Sequence, residues 1–223
     1  MIIIRKIKNI LQSHFKFVAG FFTVFYAVGI TGMLLPETFD LFKKLIPFAI
    51  LLSVLALTYF HTQIQKKDLI AFGIIYFLGF TAELIGANTG KIFGHYQYGE
   101  SLGIELFNTP LIIGVNWLLL IYISSSVAAR LKINSTLQII VASAIMLVYD
   151  LIIEQVAPVL DMWSWNDENV PVKNYVAWFV LAIIFNSILR ILSVKTKNKL
   201  APVILICQLS FFIVLLVTFK FLT

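Results

Sequence analysis

The sequence predicts an all-α fold, a polytopic membrane helical bundle of about seven transmembrane helices with the N-terminus inside. Three observations carry that expectation. Of 223 residues 60% are hydrophobic, and the mean hydropathy is +0.95; a soluble domain of this size has too much surface to hide so much apolar side chain. Charged residues make up only 13% of the chain, against roughly 25% in soluble domains. The apolar residues also gather in runs close to the about 20 residues that a helix needs to cross the hydrocarbon core. The ten-residue alternating segments of a membrane barrel are missing. A disordered chain, which needs low hydrophobicity, is excluded as well.

In chain order, residues 1–16 set Ile3, Ile4, Ile7, Ile10 and Leu11 among Arg5, Lys6, Lys8 and Lys16. That spacing predicts a basic amphipathic segment lying on an anionic membrane surface. It lacks the small-residue cleavage pattern of a signal peptide. Seven spans follow: Phe17–Leu35, Leu45–Phe60, Leu69–Ala87, Pro110–Ala129, Leu137–Ala157, Tyr175–Leu192 and Ala201–Leu222. The second is the shortest. Most connections are short, so one integral-membrane domain is expected over residues 1–223, without an internal repeat. The single cysteine, Cys207, has no thiol partner and reads as an apolar filler.

Orientation follows from Lys and Arg in the loops. With the N-terminus inside, 12 of them lie on the inner side and 5 on the outer. The net charge of +6 is therefore an orientation label and not a nucleic-acid footprint, since the basic residues sit singly or in short clusters between apolar runs. Ten of the eleven acids fall on the outer side. So do the two longest loops, Asn88–Thr109 and Pro158–Asn174.

Ionisable groups inside spans are costly and by default point to function. Glu83 lies near the outer end of the third span. Asp150 and Glu154, four residues apart in the fifth, share one helix face. At about 1.5 Å rise per residue all three lie within roughly 10 Å of the outer boundary. Asn116 and Trp117 of the fourth span and Asn174, Tyr175 and Trp178 of the sixth belong to the same depth. Convergence of four helices outweighs the bland reading of each residue alone, as interhelical glue or an interfacial carboxylate. Gly86, Gly90 and Gly94, at four-residue spacing, predict close approach of another helix. All four tryptophans (Trp117, Trp163, Trp165 and Trp178) fall at one membrane face, whereas an interfacial belt marks both; an aromatic-lined pocket is the alternative.

The run from Glu83 through Gly86, Thr89, Gly90, Phe93 and Gly94 to Tyr96 and Tyr98 resembles the carotenoid hydratase family, the CruF-type membrane proteins of carotenoid biosynthesis. So do Pro110 with Asn116 and Trp117, Asp150 with Glu154, Ala157 and Pro158, the pair Trp163 and Trp165, and Pro171 with Asn174, Tyr175 and Trp178. The resemblance covers roughly residues 70–180; Gln155 and Ala177 depart from its pattern. It implies cofactor-independent addition of water across the terminal C1–C2 double bond of an acyclic carotenoid end group, of lycopene, γ-carotene or bisanhydrobacterioruberin type. No metal is implied. The substrate would come from the bilayer of a prokaryotic cytoplasmic membrane, alongside other carotenoid-pathway enzymes.

The residues suit that chemistry. A buried carboxyl group can stay protonated and act as the acid, and aromatic faces stabilise a carbocation without attacking it. Asp150 or Glu83 is the candidate acid, with Glu154 and Asn174 placing the water. Trp117, Trp163, Trp165 and Tyr175 are candidates to face the cation; Asn116, Trp178, Tyr96 and Tyr98 complete the substrate-binding set. Two rival readings remain: an end-group cyclase, which quenches the same cation by proton loss, and a transporter using the carboxylates as an ion relay. A retinal receptor would need a lysine deep in the last span, and Lys220 lies too near the end.

Overall fold

Proline and glycine set most of the helix boundaries. The structure, a computed structural model, describes residues 13–167 and 169–221. The expected interfacial segment lies outside the described residues up to residue 12. Helix α1 spans Phe15–Leu34, and Pro36 then opens α2, Pro36–Lys44. Helix α3 is Ile46–Phe60. The second span, expected over Leu45–Phe60, is α3 to within one residue, and α2 before it forms with it a pair bent by 53°. Pro47 explains the bend, because it has no N–H to continue the ladder and disfavours helical backbone in the residue before it.

Helix α4, Lys66–Thr89, opens on a capping box in which the Gln65 side chain accepts from the Asp68 N–H and the Asp68 carboxylate from the Gln65 N–H. It closes on Gly90 at φ 64°, a left-handed conformation that favours glycine. Helix α5 is Ile112–Ala128 and α6 is Ser135–Ile153, the latter capped by the Asn134 side chain. Helix α6 stops four residues short of the expected Ala157, so Glu154 is the first residue beyond it. Pro158, which disfavours helix in the residue before it, lies beyond that turn. Helices α7, Val172–Ile191, and α8, Ala201–Phe221, complete the bundle.

Five helices (α1, α4, α6, α7 and α8) are long and apolar enough to cross a membrane, and the bent pair makes a sixth candidate. The chain is thus an all-α, multi-pass membrane protein. Helix α5 has only 17 residues, yet 13 of them are buried, and it packs against α3, α4, α6, α7 and α8. A helix apolar all round belongs in the centre of such a bundle. Gly79 and Gly114 bring α4 against it. A Cβ at Gly79 would lie 2.8 Å from the Trp117 Cβ, and one at Gly114 would lie 2.9 Å from the Tyr76 carbonyl oxygen.

Two of the glycines expected to admit another helix do something else. A Cβ at Gly86 would overlap the Phe93 ring and one at Gly90 the His95 ring, while Gly94, at φ 120°, does admit the start of another helix, since its Cβ would lie 2.6 Å from Pro171 Cγ. They fold the chain back on the end of α4. The two long loops then join as an antiparallel ribbon, β1 (Tyr96–Tyr98) against β2 (Trp163–Trp165), in the register Tyr96 to Trp165, Gln97 to Ser164 and Tyr98 to Trp163. Alternate side chains of a strand point to opposite faces. Both strands follow that rule, with the aromatic residues turned inward and Gln97 and Ser164 outward.

Candidate functional site

The ribbon lies over the ends of α4 and α6 and supplies hydrogen-bond donors to their carboxyl groups. Glu83 is 4% exposed. Its Oε2 accepts from the Tyr96 hydroxyl at 2.6 Å and the Tyr98 hydroxyl at 2.7 Å, and its Oε1 from the Trp117 indole N–H at 2.8 Å. Burial first, and the adjacent Glu83 carboxyl second, push both tyrosine hydroxyls well above their ordinary range. They stay protonated and donate.

Asp150 and Glu154 form a second group, with Asp150 fully buried and Glu154 at 4% exposure. The Asn174 amide on the first turn of α7 donates at 3.1 Å to both Asp150 Oδ2 and Glu154 Oε1. Glu154 Oε2 accepts two indole N–H groups, from Trp163 at 3.0 Å and from Trp165 at 2.7 Å. Burial pushes the Glu154 carboxyl up to about 7, against the two indoles that pull it down. Asp150 Oδ1 is buried and has no hydrogen-bond partner among the described residues.

Three cavities meet at this cluster. A void of about 20 Å³ is walled by Glu83, Glu154, Asn174, Trp163, Trp165, Trp178, Tyr96 and Tyr98, together with Asn116, Tyr149, Ile153, Phe93 and Ile113. Asn116, Tyr149 and Ile153 also line an almost wholly apolar cavity of about 280 Å³ between α1, the α2–α3 elbow, α6 and α8. On the other side, Glu154 and Trp165 also line a mainly polar vestibule of about 480 Å³.

The sequence-derived residues are distributed unevenly over this site. Glu83, Glu154, Asn116, Asn174, Trp163, Trp165, Trp178, Tyr96 and Tyr98 share the void. Trp117 lies behind it, its ring stacked on Trp178 at 4.2 Å and edged by Phe185 at 5.5 Å; from there it holds Glu83. Asp150 is reached through Asn174 and is not on the wall. Tyr175 lines the vestibule. Tyr149 is a residue that sequence reasoning missed. It borders both the void and the apolar cavity, and its hydroxyl makes no hydrogen bond among the described residues. Its one sequence signal was a tyrosine inside a span, adjacent to a buried acid.

Fold and site together define a multi-pass membrane protein with an acidic, aromatic-walled void that shares three wall residues with an apolar cavity. The carotenoid biosynthesis protein family matches residues 45–223, from the elbow of α3 through α8, and the chain belongs to that family. Its role lies in carotenoid biosynthesis. No curated protein and no solved structure matches the chain.

Proposed function

We propose that the protein is a carotenoid 1,2-hydratase, adding water to the terminal C1–C2 double bond of an acyclic carotenoid end group in the cytoplasmic membrane of a prokaryote. The observation that carries the reading is the junction itself: an apolar cavity suited to a polyene adjoins a void the size of one water, which Glu83 and Glu154 line and behind which Asp150 is held by Asn174. Two of those carboxyl groups differ in a way that supports separate roles. Glu83 receives three hydrogen bonds, so it acts as a fixed acceptor beside the site of developing positive charge. Asp150 receives one and has an oxygen without a partner among the described residues, which supports it as the proton carrier of the Asp150–Glu154 pair.

The carboxyl proton adds to C2, the π electrons form the C2–H bond, and C1 is left as a tertiary cation facing Trp163, Trp165 and Trp178. A water held by Glu154 and Asn174 forms the C1–O bond and gives its surplus proton to the carboxylate pair, so alkene and water become a tertiary alcohol. A void large enough for water at the carboxylates supports hydration over cyclisation, which would exclude water. Asp150→Asn is expected to give a folded protein without hydration. Wild-type yield of the hydrated product from that variant, in a bacterium making lycopene or γ-carotene, would refute the assignment.

A further inference from the structure

The void beside the carboxyl groups and the vestibule outside it share two walls, Glu154 and Trp165. The void and the apolar cavity share three others, Asn116, Tyr149 and Ile153. The apolar cavity and the polar vestibule therefore adjoin the same void from different walls. Water has no favourable path through the cavity on the apolar side, because cavities with apolar walls stay dry. The vestibule differs, since Gln155, Ser164, Asn169 and Tyr175 face it.

We propose that Glu154 and Trp165 form the water inlet of the site, and that the Trp165 ring sets the size of the nucleophile admitted to the cation. The inference rests on the hydration reading above. Trp165 is suited to the task by its mounting. It stands at the end of β2, half-buried, opposite Tyr96, whose ring centroid lies 5.1 Å away. Its indole N–H is tied to Glu154 Oε2 at 2.7 Å, while among the described residues Glu154 Oε1 receives only the Asn174 amide at 3.1 Å. A carboxylate oxygen has two lone pairs, so Oε1 can accept a water as well. Water passing the indole would thus reach the oxygen that orients it. The void it enters, about 20 Å³, has room for one water.

The test narrows the inlet and, separately, widens it. Gln155→Trp and Ser164→Trp place bulk in the vestibule at exposed positions that make no hydrogen bond to the carboxyl groups among the described residues. In proteoliposomes supplied with an acyclic carotenoid, both are expected to hydrate about tenfold more slowly, as when passage through a gate limits turnover. Trp165→Ala, assayed with methanol in the buffer, is expected to yield the methyl ether of the tertiary alcohol, a product one methylene heavier. Wild-type protein in the same buffer yields only the alcohol. A new product cannot arise from damage to the fold, so the widened variant tests the inlet even where a plugged one is unstable. Full hydration rates in both plugged proteins overturn the inlet, and so does absence of ether from Trp165→Ala. A wild-type protein that hydrates no acyclic end group overturns the hydration reading instead.

Discussion

Replacing Asn174 with leucine removes an amide that donates to both carboxyl groups of the Asp150–Glu154 pair while keeping its branched shape. A hydrogen bond to a charged group contributes about 1.5–3 kcal/mol. The Asn174 amide divides its donation between two oxygens at equal distances of 3.1 Å, so about half, about 0.7–1.5 kcal/mol, falls on Glu154. At about 1.4 kcal/mol per pH unit this amounts to about 0.5–1 unit. The direction is set by which form the amide favours. An N–H stabilises the ionised carboxylate, and without it Glu154 holds its proton to higher pH. Hydration needs that carboxylate to orient water, so the acid limb of the pH–rate profile, near 7 in the wild type, is expected to move upward. The assay is the initial rate of alcohol formation in proteoliposomes buffered across that range. An acid limb that stays in place, or moves downward, would refute the placement of Glu154 as the group that holds water.

Two further outcomes separate the chemistry from the scaffold. Tyr98→Phe deletes one of the three hydrogen bonds to Glu83 and is expected to lower the hydration rate about tenfold, the equivalent of about 1.4 kcal/mol, with the protein still folded; an unchanged rate counts against Glu83 as an organised acceptor. Gly79→Val pushes a side chain into Trp117, whose Cβ would be 2.8 Å from the new Cβ, and overpacking of this kind costs about 1–3 kcal/mol. Its Tm in detergent is expected to fall. Gly73→Ala on the same helix, with nothing within 4 Å of the added atom, should leave Tm unchanged or slightly raised.

The spans were legible because lipid imposes a length and a composition on each of them. Their ends were harder to read. The bend at Pro47 and the stop at Ile153 depend on backbone geometry within stretches whose hydropathy does not change. The meeting of Glu83, Glu154, Asn116 and Asn174 was legible for a related reason: buried polar groups at one depth have few ways to be satisfied except by one another. The ribbon was readable in principle. Tyr-Gln-Tyr and Trp-Ser-Trp each alternate aromatic and polar residues at the strand period of two, but three residues are too short a run to stand out inside loops of about twenty. The glycine spacing misled at Gly86 and Gly90 because four-residue periodicity also suits a helix face. Positive φ at Gly90 and Gly94 is set by the turn back toward Glu83, and no local pattern announces it.

The donors chosen for this cluster bear on its chemistry. Among the described residues six side chains hydrogen-bond the three carboxyl groups: Tyr96, Tyr98, Trp117, Trp163, Trp165 and Asn174. All six are neutral, and none of the described residues lining the void is Lys, Arg or His. A lysine or arginine would satisfy a buried carboxylate more directly, and ion pairing is the usual solution. It would also stand beside any cation formed on the substrate. Two like charges about 4 Å apart at an effective dielectric near 20 repel by about 4 kcal/mol, which would slow such a step by about a thousandfold. Indole, phenol and amide donors organise the carboxyl groups without that penalty, and five of the six bring an aromatic ring with them. An ion relay has no such need to avoid fixed positive charge. The exclusion of cationic partners therefore favours carbocation chemistry over transport.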